Sequence, residues 1–210
     1  MWLLFATTGM RRSEILGLPW WALDLEARPG RLAVAQTVVL MGNEPVIVAE
    51  AKTESSDRQL ALDPFTVAIL RAHRAKQLEE RLAWGPAWVD TSLVFTAEDG
   101  SILRPGRVTR RFARLVKDAG LAPITLHGVR HSYATAALAA GEPLKVVSER
   151  LGHASTTITA NLYQHVLPSM DERTANAVAR LILGGEKQDS TSSAVRSLST
   201  GPAVHEEQRR

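Results

Sequence analysis

The spacing of apolar residues along this chain changes from helical to strand-like and back again. Residues 2–8, WLLFATT, read as the end of a helix that Gly9 breaks. A second helix follows in RRSEILGL, with Ile15 and Leu16 turned inward and Pro19 stopping it. Residues 31–62 then switch character. RLAVAQTVVL and PVIVAEA are rich in β-branched residues and flank MGNE, which has turn chemistry; RQLAL follows the polar KTESSD. This pattern predicts a three-stranded antiparallel meander.

From Pro64 to about Leu82 the period is helical again, with Phe65, Ile69 and Leu70 as an apolar stripe and Arg71, His73, Arg74 and Lys76 on the polar side. WGPAW breaks that helix, LVF at 93–95 reads as a short extended piece, and EDGS as a turn. Residues 105–119 form a basic amphipathic helix with Val108, Phe112, Leu115 and Val116 inward, closed by Gly120. Thr125 is placed to cap LHGVRHSYATAALAA, which Gly141 ends, and Pro143 starts PLKVVSERLG. Ser155 can cap TTITANLYQHV. Pro168 opens a last amphipathic helix with Thr174, Val178, Leu181 and Ile182 on one stripe. Beyond Gly184 large apolar groups become rare, and residues 185–210 read as a disordered tail. The fold class is mainly α with a small antiparallel three-stranded sheet.

Composition sharpens this only in part. At 210 residues and 45% hydrophobic, the chain has material for one packed domain and a tail. There is no cysteine, which excludes disulfides and thiolate metal sites and is compatible with a cytoplasmic location. The apolar opening MWLLFA lacks a basic flank and is too short for a signal peptide or a membrane span. The net charge of +3 hints at an anionic partner. Its distribution says more: Arg104, Arg107, Arg110, Arg111, Arg114 and Lys117 crowd one short stretch, a candidate DNA-facing helix or a solvated face.

Several residues carry candidate chemistry, each with a bland reading beside it. His127 and Arg130 lie three apart at a predicted helix start and can reach one face, as a surface pair or a site. His127 and His131 are four apart, but the zinc pattern needs a glutamate where Gly128 stands. Arg11 follows a glycine break with Glu14 one turn on, either a solvated ion pair or a carboxylate holding an arginine for an anion. His153 sits at a helix end, where a capping role is common. Lys52 sits at a predicted hairpin tip, where lysine usually guards an edge. Tyr163 and Tyr133 are the two tyrosines; alone, either is a packed aromatic.

Together the order changes their weight: T-G-M-R-R-S-E, then a hairpin K-T, then H-G-V-R-H, then L-G-H, then a tyrosine ten residues after His153. This resembles the catalytic domain of the tyrosine recombinases, the phage integrase family, from about residue 3 to residue 183. The resemblance implies that Arg11 and Arg130 clamp a phosphate and that Glu14 supports Arg11. It makes Tyr163 the nucleophile and Lys52 the proton donor to the leaving oxygen, with His127 and His153 sharing protons. It assigns His131 and Tyr133 to packing or support. It implies double-stranded DNA as partner, contacted in part by Arg107, Arg110, Arg111 and Arg114, and no cofactor or metal. It also implies a tetramer on DNA assembled through the C-terminal helix.

The family's catalytic domain has further helices upstream of the T-G-x-R motif, usually preceded by a separate clamp domain. Here Arg11 is only ten residues from Met1. The expectation is therefore a catalytic domain over 1–184 without its first helices, either a remnant, a late-placed start or a fragment, marginally stable and weak in DNA binding. The rival readings are an inactive remnant that binds DNA weakly and, less well matched, a type IB topoisomerase.

Overall fold

The computed structural model describes residues 1–49 and 58–153. The two N-terminal helices are α1 (Trp2–Thr8) and α2 (Arg12–Leu16). Gly9 closes α1 in the left-handed region. α2 ends at Gly17, before Pro19. A glycine fits there because the strand that follows crosses the helix end: a Cβ on Gly17 would lie 2.8 Å from the carbonyl oxygen of Gln36. Leu4, Phe5, Ile15 and Leu16 are buried in one cluster.

The β region departs from the expected meander. Its strands are β1 (Leu23–Asp24), β2 (Gly30–Ala33), β3 (Gln36–Met41), β4 (Glu44–Ala49) and β5 (Gln59–Leu62). They make a three-stranded antiparallel sheet in the order β1-β2-β5 and a separate β3–β4 hairpin. The run expected to be one strand is thus two, each with its own partner. Val34 donates a last bond to the Arg58 carbonyl at 3.2 Å, extending the β2–β5 pairing. From Gln36 the chain crosses α2 and pairs with β4 instead. Mainly helical with a small antiparallel sheet, the fold class is as expected.

Asp63 caps α3 (Pro64–Trp84) by accepting from the Thr66 amide at 2.9 Å. The buried side of α3 is Thr66, Leu70 and Gln77. Phe65 and Ile69, expected inward, are 65% and 44% exposed. Hydrogen bonding rather than hydropathy chose this face. Segment 93–95, expected to be extended, is an isolated bridge at Leu93 followed by a bend; it is buried and needs donors for its carbonyls. Gln77 Nε2 donates to Leu93 O and Val94 O, His73 Nε2 bonds Val94 O at 2.6 Å, and Trp20 Nε1 donates to Gln77 Oε1 at 2.6 Å. His73 therefore belongs to the packed side.

A turn at 97–101 leads into α4 (Pro105–Asp118), which buries Val108 and Val116 and half-buries Phe112. Leu115, expected inward, is exposed. α5 (Leu126–Ala139) starts at Thr125, whose hydroxyl accepts from the Gly128 amide at 3.0 Å, as expected. α6 (Leu144–Leu151) ends at Gly152. α5 and α6 share a second cluster of Ala134, Leu138, Val147 and Leu151.

Lys52 and everything from residue 154 on lie outside the described residues. These include Tyr163, the predicted helix after Pro168 and the predicted tail. No helix among the described residues is long and apolar enough to cross a membrane.

Candidate active site

Four of the sequence-predicted residues, Arg11, Glu14, Arg130 and His153, meet near the end of α6. Glu14 lies in α2, and its carboxylate is 1% exposed. Its Oε2 accepts from the Arg11 backbone amide at 2.7 Å, and its Oε1 from Arg11 Nη1 at 2.7 Å. The same carboxylate thus caps the helix and grips the side chain before it. Burial alone would raise the Glu14 pKa. The charge and hydrogen bond of Arg58, then the bonds from Arg11, outweigh it and hold the carboxyl below its usual range.

Arg130 sits on the buried stripe of α5, in line with Leu126, Ala134 and Leu138. Its Nη1 donates to Gly9 O at 2.7 Å and its Nη2 to Leu151 O at 2.6 Å. Burial, then the neighbouring Arg11 charge, lower its pKa to about 10, so it stays charged at neutral pH. Arg11 Nη2 donates to Gly152 O at 2.7 Å. The two guanidiniums therefore dock on consecutive carbonyls at the end of α6, where the helix dipole is negative.

His153 follows that turn. Its amide donates to Ser148 O at 3.1 Å, which closes the helix. Burial first, then the charges of Arg130, Arg11 and Arg58, push its imidazole pKa down to about 4. At neutral pH it is an uncharged ring. His127 lies exposed on the first turn of α5, its ring edge-on to His131 with centroids 4.3 Å apart. Tyr133 packs beside the α5–α6 cluster, and its hydroxyl accepts from Arg150 Nε at 2.7 Å, a supporting role.

Arg11, Glu14, Arg130 and His153 are thus brought together. The α4 arginines are not part of this cluster. Arg107, Arg110, Arg111 and Arg114 are all exposed and line an open groove of about 1120 Å³ with Trp2, Trp84 and Asp99. α4 approaches the centre through Thr109, whose hydroxyl accepts from Arg12 Nη1 at 2.6 Å. Among the described residues, no three acidic or histidine side chains gather as metal ligands.

One member was missed. Arg58 Nη2 donates to Glu14 Oε2 at 2.6 Å, with a side chain only 8% exposed. A signal existed: Arg58, Leu60 and Leu62 alternate, and both leucines are buried, so the arginine shares their inward phase.

Comparison with known proteins gives the chain its relatives. The model of the phage integrase family matches residues 1–170. A tyrosine recombinase XerC-like protein of Caldanaerobacter subterraneus subsp. tengcongensis is 34% identical over 190 residues, 86% of this chain and 48% of that protein. An integrase of Streptomyces ambofaciens is 32% identical over 75% of this chain and 41% of its own length. The chain thus spans about half the length of the curated relatives it matches. Among solved structures, the Tn1549 transposon integrase in complex with transposon right end DNA aligns at a TM-score of 0.66. It is 25% identical, over 82% of this chain and 57% of that one. XerA recombinase aligns at 0.57 and 22% identity, over 88% of this chain and 55% of its own, a likeness of fold.

Proposed function

The chain belongs to the phage integrase family, and from that premise we propose that it is the catalytic part of a site-specific DNA recombinase. The substrate is duplex DNA, the polymer present with the transposon integrase relative. The observation that carries the reading is the docking of Arg11 and Arg130 on the adjacent carbonyls of Gly152 and Leu151. Two fixed guanidiniums side by side suit the non-bridging oxygens of one phosphodiester and the charge that grows on them in the transition state.

In this reading the Tyr163 oxygen attacks phosphorus, forming a 3′-phosphotyrosyl bond as the bond to the 5′-oxygen breaks. Lys52 gives the leaving oxygen its proton. His127 or His153 takes or shares the proton of the tyrosine hydroxyl. The energy of the phosphodiester is retained in the protein–DNA link, so a 5′-hydroxyl from another strand reverses the step. Arg107, Arg110, Arg111 and Arg114 supply backbone contacts along α4, and the segment after Pro168 joins protomers into a tetramer on DNA.

The test is a nicked suicide duplex carrying the element's own end sequence. The wild-type chain should form a covalent adduct, and Tyr163→Phe should form none. An adduct with Tyr163→Phe would overturn the assignment. For assembly, a chain lacking residues 168–184 should form fewer multimers on DNA while its unfolding changes little; equal assembly rules that interface out.

A further inference from the structure

Arg58 makes no hydrogen bond to Arg11, yet it touches both groups that hold Arg11 in place. The first is the Glu14 carboxylate, whose Oε2 it shares with the Arg11 amide. The second is the turn at the end of α6. Gly152, at φ 64°, offers its carbonyl to Arg11. The Arg58 guanidinium fills the space where a side chain on Gly152 would begin: a Cβ built there lands on Arg58 Nη1 and lies 2.9 Å from Cζ.

The arrangement is costly to the fold. The guanidiniums of Arg11 and Arg58 both bond one carboxylate, and their charges both work against that of Arg130. Among the described residues, Arg58 Nε is buried with no hydrogen-bond partner. A buried guanidinium with an unmet donor, beside two like charges, is a poor stabiliser of the fold.

We infer that Arg58 is a positioning residue: it fixes Glu14 and the Gly152 turn, and through them sets the Arg11 guanidinium for an anion. This rests on Arg11 and Arg130 being the phosphate clamp proposed above. Without Arg58 the buried Glu14 carboxylate loses its main counter-charge and is free to turn. Arg11 then loses a fixed partner on one edge and a supported carbonyl on the other. A lysine restores the charge but not the fork that reaches the carboxylate while packing flat under a glycine.

The experiment titrates the full chain with inorganic phosphate, followed by NMR of the arginine side-chain N–H groups, with thermal unfolding recorded for each variant. Arg58→Lys should weaken phosphate binding about tenfold, the scale of one charge-assisted hydrogen bond. In an Arg11→Ala background the same change should cost less than about twofold, because Arg58 acts through Arg11. Glu14→Gln keeps the shape and adds positive charge, so a bare charge effect would tighten phosphate; the inference expects weaker binding. Equal affinity for Arg58→Lys, a full further loss in the Arg11→Ala background, or tighter binding by Glu14→Gln each overturns it. If Arg58→Lys does not fold, the Glu14→Gln arm decides. A wild-type chain that binds no phosphate brings down the clamp itself, and the inference with it.

Discussion

At Gly152 one methyl group would do damage twice. The backbone is left-handed, which L side chains resist, and the added carbon would strike the Arg58 guanidinium. Gly152→Ala should cost ~2 kcal/mol or more of unfolding free energy in urea. A loss under about 0.5 kcal/mol would mean that Arg58 yields easily. His153, the next residue, gives the fold a pH dependence. Its folded pKa is about 4, against 6.5 in the free side chain. Between those values the unfolded chain binds more protons, so stability should fall as pH drops from about 6.5 towards 4. His131, also lowered by burial and by His127 and Arg130, adds in the same direction. His153→Asn should flatten the stability curve across that window, and an unchanged slope would place the titration elsewhere. The family resemblance singled out Arg11, Glu14, Arg130 and His153, because each lies in a short motif whose order could be matched. Arg58 escaped because its partner Glu14 is distant in sequence and its own neighbours read as an ordinary strand.

Among the elements, helix ends were the most legible. Gly9, Thr125 and Gly152 mark boundaries that the backbone adopts, since caps are set by neighbours along the chain. Thr125→Ala should therefore lower stability by ~1 kcal/mol, the usual weight of an N-cap oxygen, and a thermal melt checks it. Strand pairing was less legible. Alternation in residues 31–40 shows extended chain but not its partner, and the partner changes after Val34 because the end of α2 lies across the path. α3 misled for a related reason: its inward face follows the bare carbonyls at 93 and 94, not its own phenylalanine. α4 presents arginines with no ion-pair partner among the described residues. If that face lies along DNA, replacing Arg110 or Arg114 by alanine should shallow the slope of log K against log salt by ~0.9 for each phosphate left without its cation. An unaltered slope for both would leave that helix face to solvent.

The described residues form a larger cluster, drawn from α1–α4, the strands and the start of α5, and a smaller one built by the rest of α5 and by α6. Phe5, 2% exposed at the centre of the first, stacks on Trp2 at 6.0 Å between centroids. Phe5→Ala should cost ~3–5 kcal/mol by chemical denaturation. In the arginine centre each guanidinium depends on backbone that is far away in sequence. Arg130 needs the carbonyl at Gly9, and Arg11 needs the one at Gly152. During synthesis the chain emerges from its first residue, so Arg11 appears long before Gly152 exists to receive it. A nascent chain therefore has no clamp. The phosphate clamp that we propose stays unassembled until the end of α6 leaves the ribosome, and the proposed nucleophile, Tyr163, emerges later still.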